Sequence, residues 1–275
     1  MVEVAYHTDP ACPWCWALEP VVRKLMVEYE GKLEWNFVMG GLARSLPNEP
    51  ALRAGAIEEW LRVSDVTQAP LDPLLWVDGP IESTYPASMA VKAAAEAAED
   101  RGYRYLRRLR EGLMCERRKL DHVEALVEEA RGAGLDVERF RLALRSHAIT
   151  EAFAADLERT ERLAETVTGA VERASRGVGG APLPTLVFAG ADPVTGFQSY
   201  EAYRAAADSA GAEPAGRAPL GVAEAVAIFG RVTTPEVELL CELPGPRAAA
   251  ELFRLAEQWK LRPERRLTGY LWEAA

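Results

Sequence analysis

The sequence predicts an α/β fold in which a strand–helix–strand unit is interrupted by a large helical insertion. A small second domain of three helices and a strand-like tail follows. Three observations carry this. Residues 1–7 and 33–39 alternate in the manner of strands and are separated by a helix-length stretch, which predicts a right-handed parallel unit. From about 42 to 177 the chain shows helical periodicity and no comparable strand pattern. Strands resume only at residues 185–188, Thr-Leu-Val-Phe.

In chain order, Asp9-Pro10-Ala11 is a turn and Cys12-Pro13-Trp14-Cys15 opens a helix. Pro13 suits the first helical position, where its missing N–H leaves no bond unmade. Ala17, Val21 and Leu25 mark one apolar face, Pro20 is expected to kink the helix, and Gly31 ends it. Residues 45–80 contain Pro47, Pro50, Pro70, Pro73 and Pro80, and are expected as loops with one helix near 54–63. Helical spacing returns over 88–99, 103–118, 122–133, 137–146 and 148–166. A hairpin is expected from 185–188 to 194–197 around residues 190–193, then a helix over 199–209. The stretch 212–219 reads as a linker, which divides the chain into expected domains 1–211 and 220–275. Beyond it come helices over 222–229 and 247–259, another opened by Thr233-Thr234-Pro235, and a tail over 261–272.

The chain has 275 residues, 49% of them hydrophobic and 27% charged, an ordinary globular composition. Its net charge of −10 excludes a protein that works by non-specific phosphate binding. The opening residues lack the cationic start and apolar stretch of a signal peptide, and no apolar run reaches the ~18 residues needed to span a bilayer. A cytoplasmic location and no membrane partner are therefore expected.

Of the four cysteines, Cys12 and Cys15 form a close pair, which in a reducing compartment signals redox or metal chemistry. Zinc takes four ligands, and Cys115, Cys241, His7, His122 and His147 are scattered without a second close pair, so no metal is expected. Following a strand and opening a helix, Cys12 gains free N–H groups and the helix dipole, which stabilise a thiolate. Cys15, one turn on, faces inward and stays protonated until it resolves a mixed disulfide. The expected pair is thus a reachable nucleophile, Cys12, and a protected partner, Cys15, with no further cofactor. Cys115 and Cys241 are expected as small core residues.

Far downstream, Leu183-Pro184-Thr185-Leu186-Val187-Phe188 sets a proline directly before an apolar strand, where its missing donor is tolerated. This segment resembles the cis-proline segment of the thioredoxin superfamily. The resemblance implies that Pro184 follows a cis bond, that Leu183 offers backbone groups to a bound peptide, and that Thr185 helps shape the site. Pro182, further from the strand, is the competing proline. Cys-Pro-Trp-Cys and the 172-residue separation of Cys12 and Pro184 are similar to the DsbA-like and FrnE-like branch, which carries helices between the thioredoxin halves. Residues 9–20 and Tyr85-Pro86-Ala87-Ser88-Met89 resemble more specifically the YjbH/SpxH group of DsbA-like cytoplasmic adaptors. Under that likeness Pro13 and Trp14 shape the docking surface and Trp16 is core. Glu19, one turn beyond Cys15, is either a solvated helix glutamate, the plainer reading, or a carboxylate passing protons to the buried thiol.

Residues 220–275, in the order helix, helix, helix, tail, resemble a winged helix. Seven basic residues stand there against eight acidic ones, so nucleic-acid binding is not expected, and packing or a protein partner is. The implied activity is protein thiol–disulfide exchange, as oxidoreductase or isomerase, on protein thiols, disulfides or small thiols. The alternative is an adaptor that delivers a regulator to a ClpXP-type protease and uses the CxxC as a redox switch. A glutathione-using transferase or chromene-carboxylate isomerase is a weaker third, because that branch generally lacks a CxxC.

Overall fold

The computed structural model describes residues 1–96, 99–167 and 171–275 of the chain. Strand β1 (Val2–Thr8) leads through a turn into α1 (Pro13–Ala17) and α2 (Glu19–Glu28), and β2 (Leu33–Met39) returns parallel to β1 in a register from Val2↔Leu33 to Thr8↔Met39. Pro20 does more than kink the expected helix. The N–H of Leu18 bonds Trp14 O, and Pro20, lacking the donor of the next turn, sits in the first turn of a new helix. Pro13 and Pro20 thus open α1 and α2 respectively.

The insertion is helical: α3 (Pro50–Thr67), α4 (Leu75–Asp78), α5 (Tyr85–Ala95), α6 (Glu99–Cys115), α7 (Val123–Gly132), α8 (Val137–Leu144) and α9 (His147–Thr166). Residues 97–98 of the expected 88–99 helix, and 168–170 of the insertion, lie outside the described residues. Two expectations for residues 45–80 need correction. Pro50 is no breaker but occupies the first turn of α3, which is therefore 18 residues long, and α4 forms where loop was expected.

The chain re-enters the fold through β3 (Ser175–Arg176) and β4 (Pro182–Leu183), which pair antiparallel, too short to leave a sequence pattern. Strand β5 (Thr185–Phe188) runs antiparallel to β1 with Tyr6 opposite Leu186, and β6 (Val194–Thr195) closes the sheet in the order β2-β1-β5-β6. Central β1 is buried from Val4 to Thr8, as a strand covered on both faces must be. On one side, α2 and α10 (Tyr200–Ser209) pack Leu18, Val22, Leu25 and Tyr203 against Tyr6, Leu186 and Phe188. On the other, a larger cluster joins the insertion's Trp60, Trp76, Leu106, Leu109 and Leu113 to Trp16, Cys12 and Cys15.

The remainder holds α11 (Val222–Phe229), β7 (Val232–Thr233), α12 (Thr234–Leu240), α13 (Pro246–Glu257), β8 (Leu261–Arg265) and β9 (Tyr270–Ala274), with an antiparallel sheet in the order β7-β9-β8. Val226, Val237, Leu252 and Trp272 form its core. Its hairpin reaches the insertion, where Thr268 Oγ1 accepts the N–H of Leu71 at 2.7 Å. No helix among the described residues is long and apolar enough to cross a membrane.

Asp9 fastens the insertion to the sheet. Fully buried, its carboxylate accepts the N–H of Ala11 (2.9 Å), the N–H of Leu42 (2.9 Å), and the hydroxyls of Thr84 (2.9 Å) and Ser88 (3.3 Å). All four donors are neutral, so burial prevails and pushes its pKa above the usual carboxylate range despite the hydrogen bonds. Asp9→Ala orphans several buried donors at about 1–3 kcal/mol each. We expect a loss of about 2–4 kcal/mol in urea unfolding with an unchanged slope, whereas a loss below ~0.5 kcal/mol would remove this role.

Candidate active site

Cys12 is the N-cap of α1, with extended backbone (φ −83°, ψ 112°), and its Sγ accepts the N–H of Cys15 at 3.1 Å. The two sulfurs are bonded in a disulfide with Cα atoms 5.2 Å apart. Once the pair is reduced, the Cys15 N–H and the other free N–H groups of the helix start stabilise charge on Cys12, while Cys15 lies behind it. Leu183 O stands 3.7 Å from Cys12 Sγ, and the Leu183–Pro184 peptide bond is cis. The chain thus brings Pro184 to the redox pair across 172 residues.

The setting departs from the expected reachable nucleophile. Cys12, Pro13, Trp14, Cys15, Leu183, Pro184 and Thr185 are all buried. Trp14 does not form an open docking surface, because α3 lies over it. The indole Nε1–H donates to Glu59 Oε1 at 2.7 Å, the Arg62 guanidinium sits 5.2 Å from the ring centre, and Phe197 packs at 6.0 Å. Arg62 pairs in turn with Glu59 at 2.7 Å, so the latch consists of two residues of one helix and one indole. Leu183, expected as the peptide-pairing position, already pairs with Ser175 of β3. The Thr185 hydroxyl donates to Pro182 O at 2.7 Å and shapes the turn from within. Trp16 is core, as expected, with its Nε1–H on Pro70 O at 2.9 Å.

Glu19 is not solvated: 1% of it is exposed. Its carboxylate pairs with Arg110, with Arg107 at 3.4 Å and with Arg23 at 3.9 Å, and accepts the Tyr103 hydroxyl at 2.9 Å. Burial raises its pKa, but the three guanidiniums outweigh burial and hold it below the usual range. At neutral pH it is therefore a fixed charge rather than a proton carrier. Arg110 also donates to Thr8 Oγ1 and lies 5.7 Å from the centre of the Tyr6 ring, whose hydroxyl donates to Cys15 O at 3.3 Å. Arg107 covers the Trp16 ring at 4.4 Å. These arginines escaped the sequence reading because they occupy ordinary polar positions of an amphipathic helix.

The two other cysteines are unsuited to exchange. Burial pushes the Cys115 thiol well above its ordinary pKa, and Cys241 up to about 11. No group of three or more His, Cys, Asp or Glu side chains able to hold a metal occurs among the described residues.

A family model described as Thioredoxin matches residues 6–168. The ClpXP adapter protein SpxH of Halalkalibacterium halodurans is 28% identical over 273 residues, covering 94% of this chain and 84% of that one. SpxH of Bacillus subtilis is 24% identical, covering 99% and 89%. Among solved structures, a putative protein disulfide isomerase from Nitrosomonas europaea superposes with a TM-score of 0.63 at 22% identity, over 76% of this chain and 96% of its own. The cytosolic disulfide reductase DsbM from Pseudomonas aeruginosa, with GSH, gives 0.55 at 23% identity, over 76% and 95%. These structural likenesses show a shared fold.

Two outcomes follow from this geometry. In Cys15→Ala, the alkylation rate of Cys12 against pH should inflect below the ~8.5 of a free thiol. Adding Glu59→Gln should raise that rate several-fold without moving the inflection, because the latch governs access and the helix start governs charge. An inflection near ~8.5, or no change in rate, would contradict the respective point. Separately, the folded pKa of Glu19 lies below its unfolded value. Its contribution to stability is therefore complete above the ordinary carboxylate pKa of ~4.3 and is lost as pH falls below it. Glu19→Gln should flatten acid unfolding in that range, measured by circular dichroism, and an unaltered acid limb would count against the ion cluster.

Proposed function

The chain belongs to the thioredoxin family, and on that footing we propose that it exchanges disulfides with protein or small thiols through Cys12, with Cys15 as resolving thiol. The reduced Cys12 thiolate attacks one sulfur of a substrate disulfide. A Cys12–substrate bond forms, the substrate S–S bond breaks, and the departing thiolate takes up a proton. Cys15 then loses its proton and attacks Cys12 Sγ, releasing the second substrate thiol. Two electrons pass to the substrate and the Cys12–Cys15 disulfide remains; run in reverse, the same steps oxidise a substrate. The observation that carries this is the Cys12–Cys15 disulfide at a helix start, with Cys12 Sγ on the Cys15 N–H and Leu183 O beside it.

In this reading Pro13, Trp14, Leu183, Pro184 and Thr185 form the wall against which a substrate segment docks once α3 yields. Glu19 sets the local field, the pair is its own redox centre without added cofactor, and the compartment is the cytoplasm. Residues 1–211 make the catalytic domain. Residues 220–275, winged-helix-like in element order and near-neutral in charge, gather protein rather than DNA.

A second reading is favoured by one observation. Three proteins named as ClpXP adapters align over 94% to 99% of this chain, which takes in the C-terminal segment, although others of that name cover 74%; the two disulfide enzymes cover 76%. Under it the chain presents a client to a protease, and the buried pair is a slow redox switch.

Turnover separates the two. With a thiol reductant in excess, the enzyme reading expects many cycles of insulin disulfide reduction per molecule, abolished by Cys12→Ser. Cys15→Ser should hold partners as mixed disulfides released by dithiothreitol. Fewer than one cycle, with client binding untouched by Cys12→Ser, would sink the enzyme and leave the adaptor.

A further inference from the structure

The ion cluster around Glu19 is not completed by the first 211 residues. Its remaining carboxylate comes from α12. Glu236, wholly buried, holds Arg107 through two bonds, Nη1 to Oε1 at 2.5 Å and Nη2 to Oε2 at 3.2 Å, and Arg23 Nη1 at 3.1 Å. The same carboxylate accepts the Thr233 N–H at 2.7 Å, reciprocated by the Glu236 N–H on Thr233 Oγ1, so a capping box fixes its position. Arg107 also pairs with Glu111 at 2.7 Å and reaches Glu19 at 3.4 Å. The inner cluster therefore balances three carboxylates (Glu19, Glu111, Glu236) against three guanidiniums (Arg23, Arg107, Arg110), all buried.

We infer that Glu236 is a positioning residue for the redox pair. From the C-terminal segment, acting through Arg107, it sets the charge balance and the placement of Glu19 beneath the Cys12–Cys15 helix. The path is short. Arg107 touches Glu19 and lies on Trp16, next in sequence to Cys15, while Arg110 links Glu19 to Tyr6, whose hydroxyl holds Cys15 O. Charges act strongly here because little water screens them. Removing the Glu236 charge makes the cluster below the thiols more positive by one charge. That favours the Cys12 thiolate, and with it the reduced pair, making the disulfide a stronger oxidant. The C-terminal segment is thereby a determinant of the chemistry, not only a packing module. This inference rests on the proposed exchange reaction.

The test equilibrates the full-length chain and its variants with glutathione buffers and follows the Cys12–Cys15 state by mass. Glu236→Gln keeps the shape and the capping oxygen. It should shift the equilibrium three- to tenfold toward the reduced pair, about 14–30 mV. Arg23→Gln removes a positive charge and should shift it in the opposite sense, so it carries the test if Glu236→Gln does not fold. Thr233→Ala weakens the same cap without altering charge and should leave the equilibrium in place while lowering stability. Glu236→Gln and Arg23→Gln both indistinguishable from the parent, or moving in the same sense, would overturn the inference, as would a shift in Thr233→Ala equal to that of Glu236→Gln. A parent chain with no reversible transition at all would instead remove the exchange reading on which it stands.

Discussion

A carboxylate with almost no access to water, set one turn beyond a redox pair, must be matched by positive charge or lose its own. Glu19 is that carboxylate, and matching it dictates much of the architecture. An unpaired buried charge would cost several kcal/mol, which the sheet and its two packed helices have no means to offset. Arg107 and Arg110 of α6 supply the charge, so the insertion must lie against the CxxC helix. Those arginines need carboxylates in turn, and Glu236 draws α12 onto α2. Insertion, sheet and C-terminal segment meet at one electrostatic centre. Farther out, Arg231 links Glu111 of this centre to Glu116 and Glu264.

Asp9 and Glu19 show how neighbouring buried carboxylates take opposite character. Asp9 is hydrogen-bonded by neutral donors alone, and its pKa rises. Glu19 has comparable burial but faces guanidiniums, and its pKa falls. The first fastens the turn before Cys12, and the second places permanent charge after Cys15. Between them the redox helix is clamped at both ends, while α3 seals its outer face through Trp14 and Glu59. In the proposed exchange reaction, control of Cys12 divides between two devices: the helix start and its charges for ionisation, and the α3 latch for access.

The local half of this was legible in the sequence. Alternation marked β1 and β2, an apolar run behind a proline marked β5, Pro13 and Pro235 marked helix starts, and the CxxC and the Leu183-Pro184 segment announced a pair of distant elements brought together. Three things were not legible, each for a physical reason. Pro50 looked like a breaker because a first-turn proline and a loop proline read alike without the capping geometry. Trp14 looked exposed because nothing local tells an indole under a helix from one facing a partner. The arginine–glutamate centre was invisible because its members lie more than 200 residues apart, from Glu19 to Glu236, each at an ordinary helical polar position. Burial of charge is a tertiary fact, and one-dimensional periodicity does not carry it.

The proposed chemistry requires Cys12 and Cys15 to be a reversible redox centre held apart from two inert thiols. A redox titration of the full-length chain, with peptide mapping of every cysteine, bears on that most directly. One two-electron transition confined to Cys12–Cys15 is expected, between about −270 and −120 mV, the range spanned by exchange proteins of this chemistry. Cys115 and Cys241 should stay reduced throughout. A pair that cannot be reduced and reoxidised, or an oxidised state joining Cys12 to Cys115 or Cys241, would contradict it.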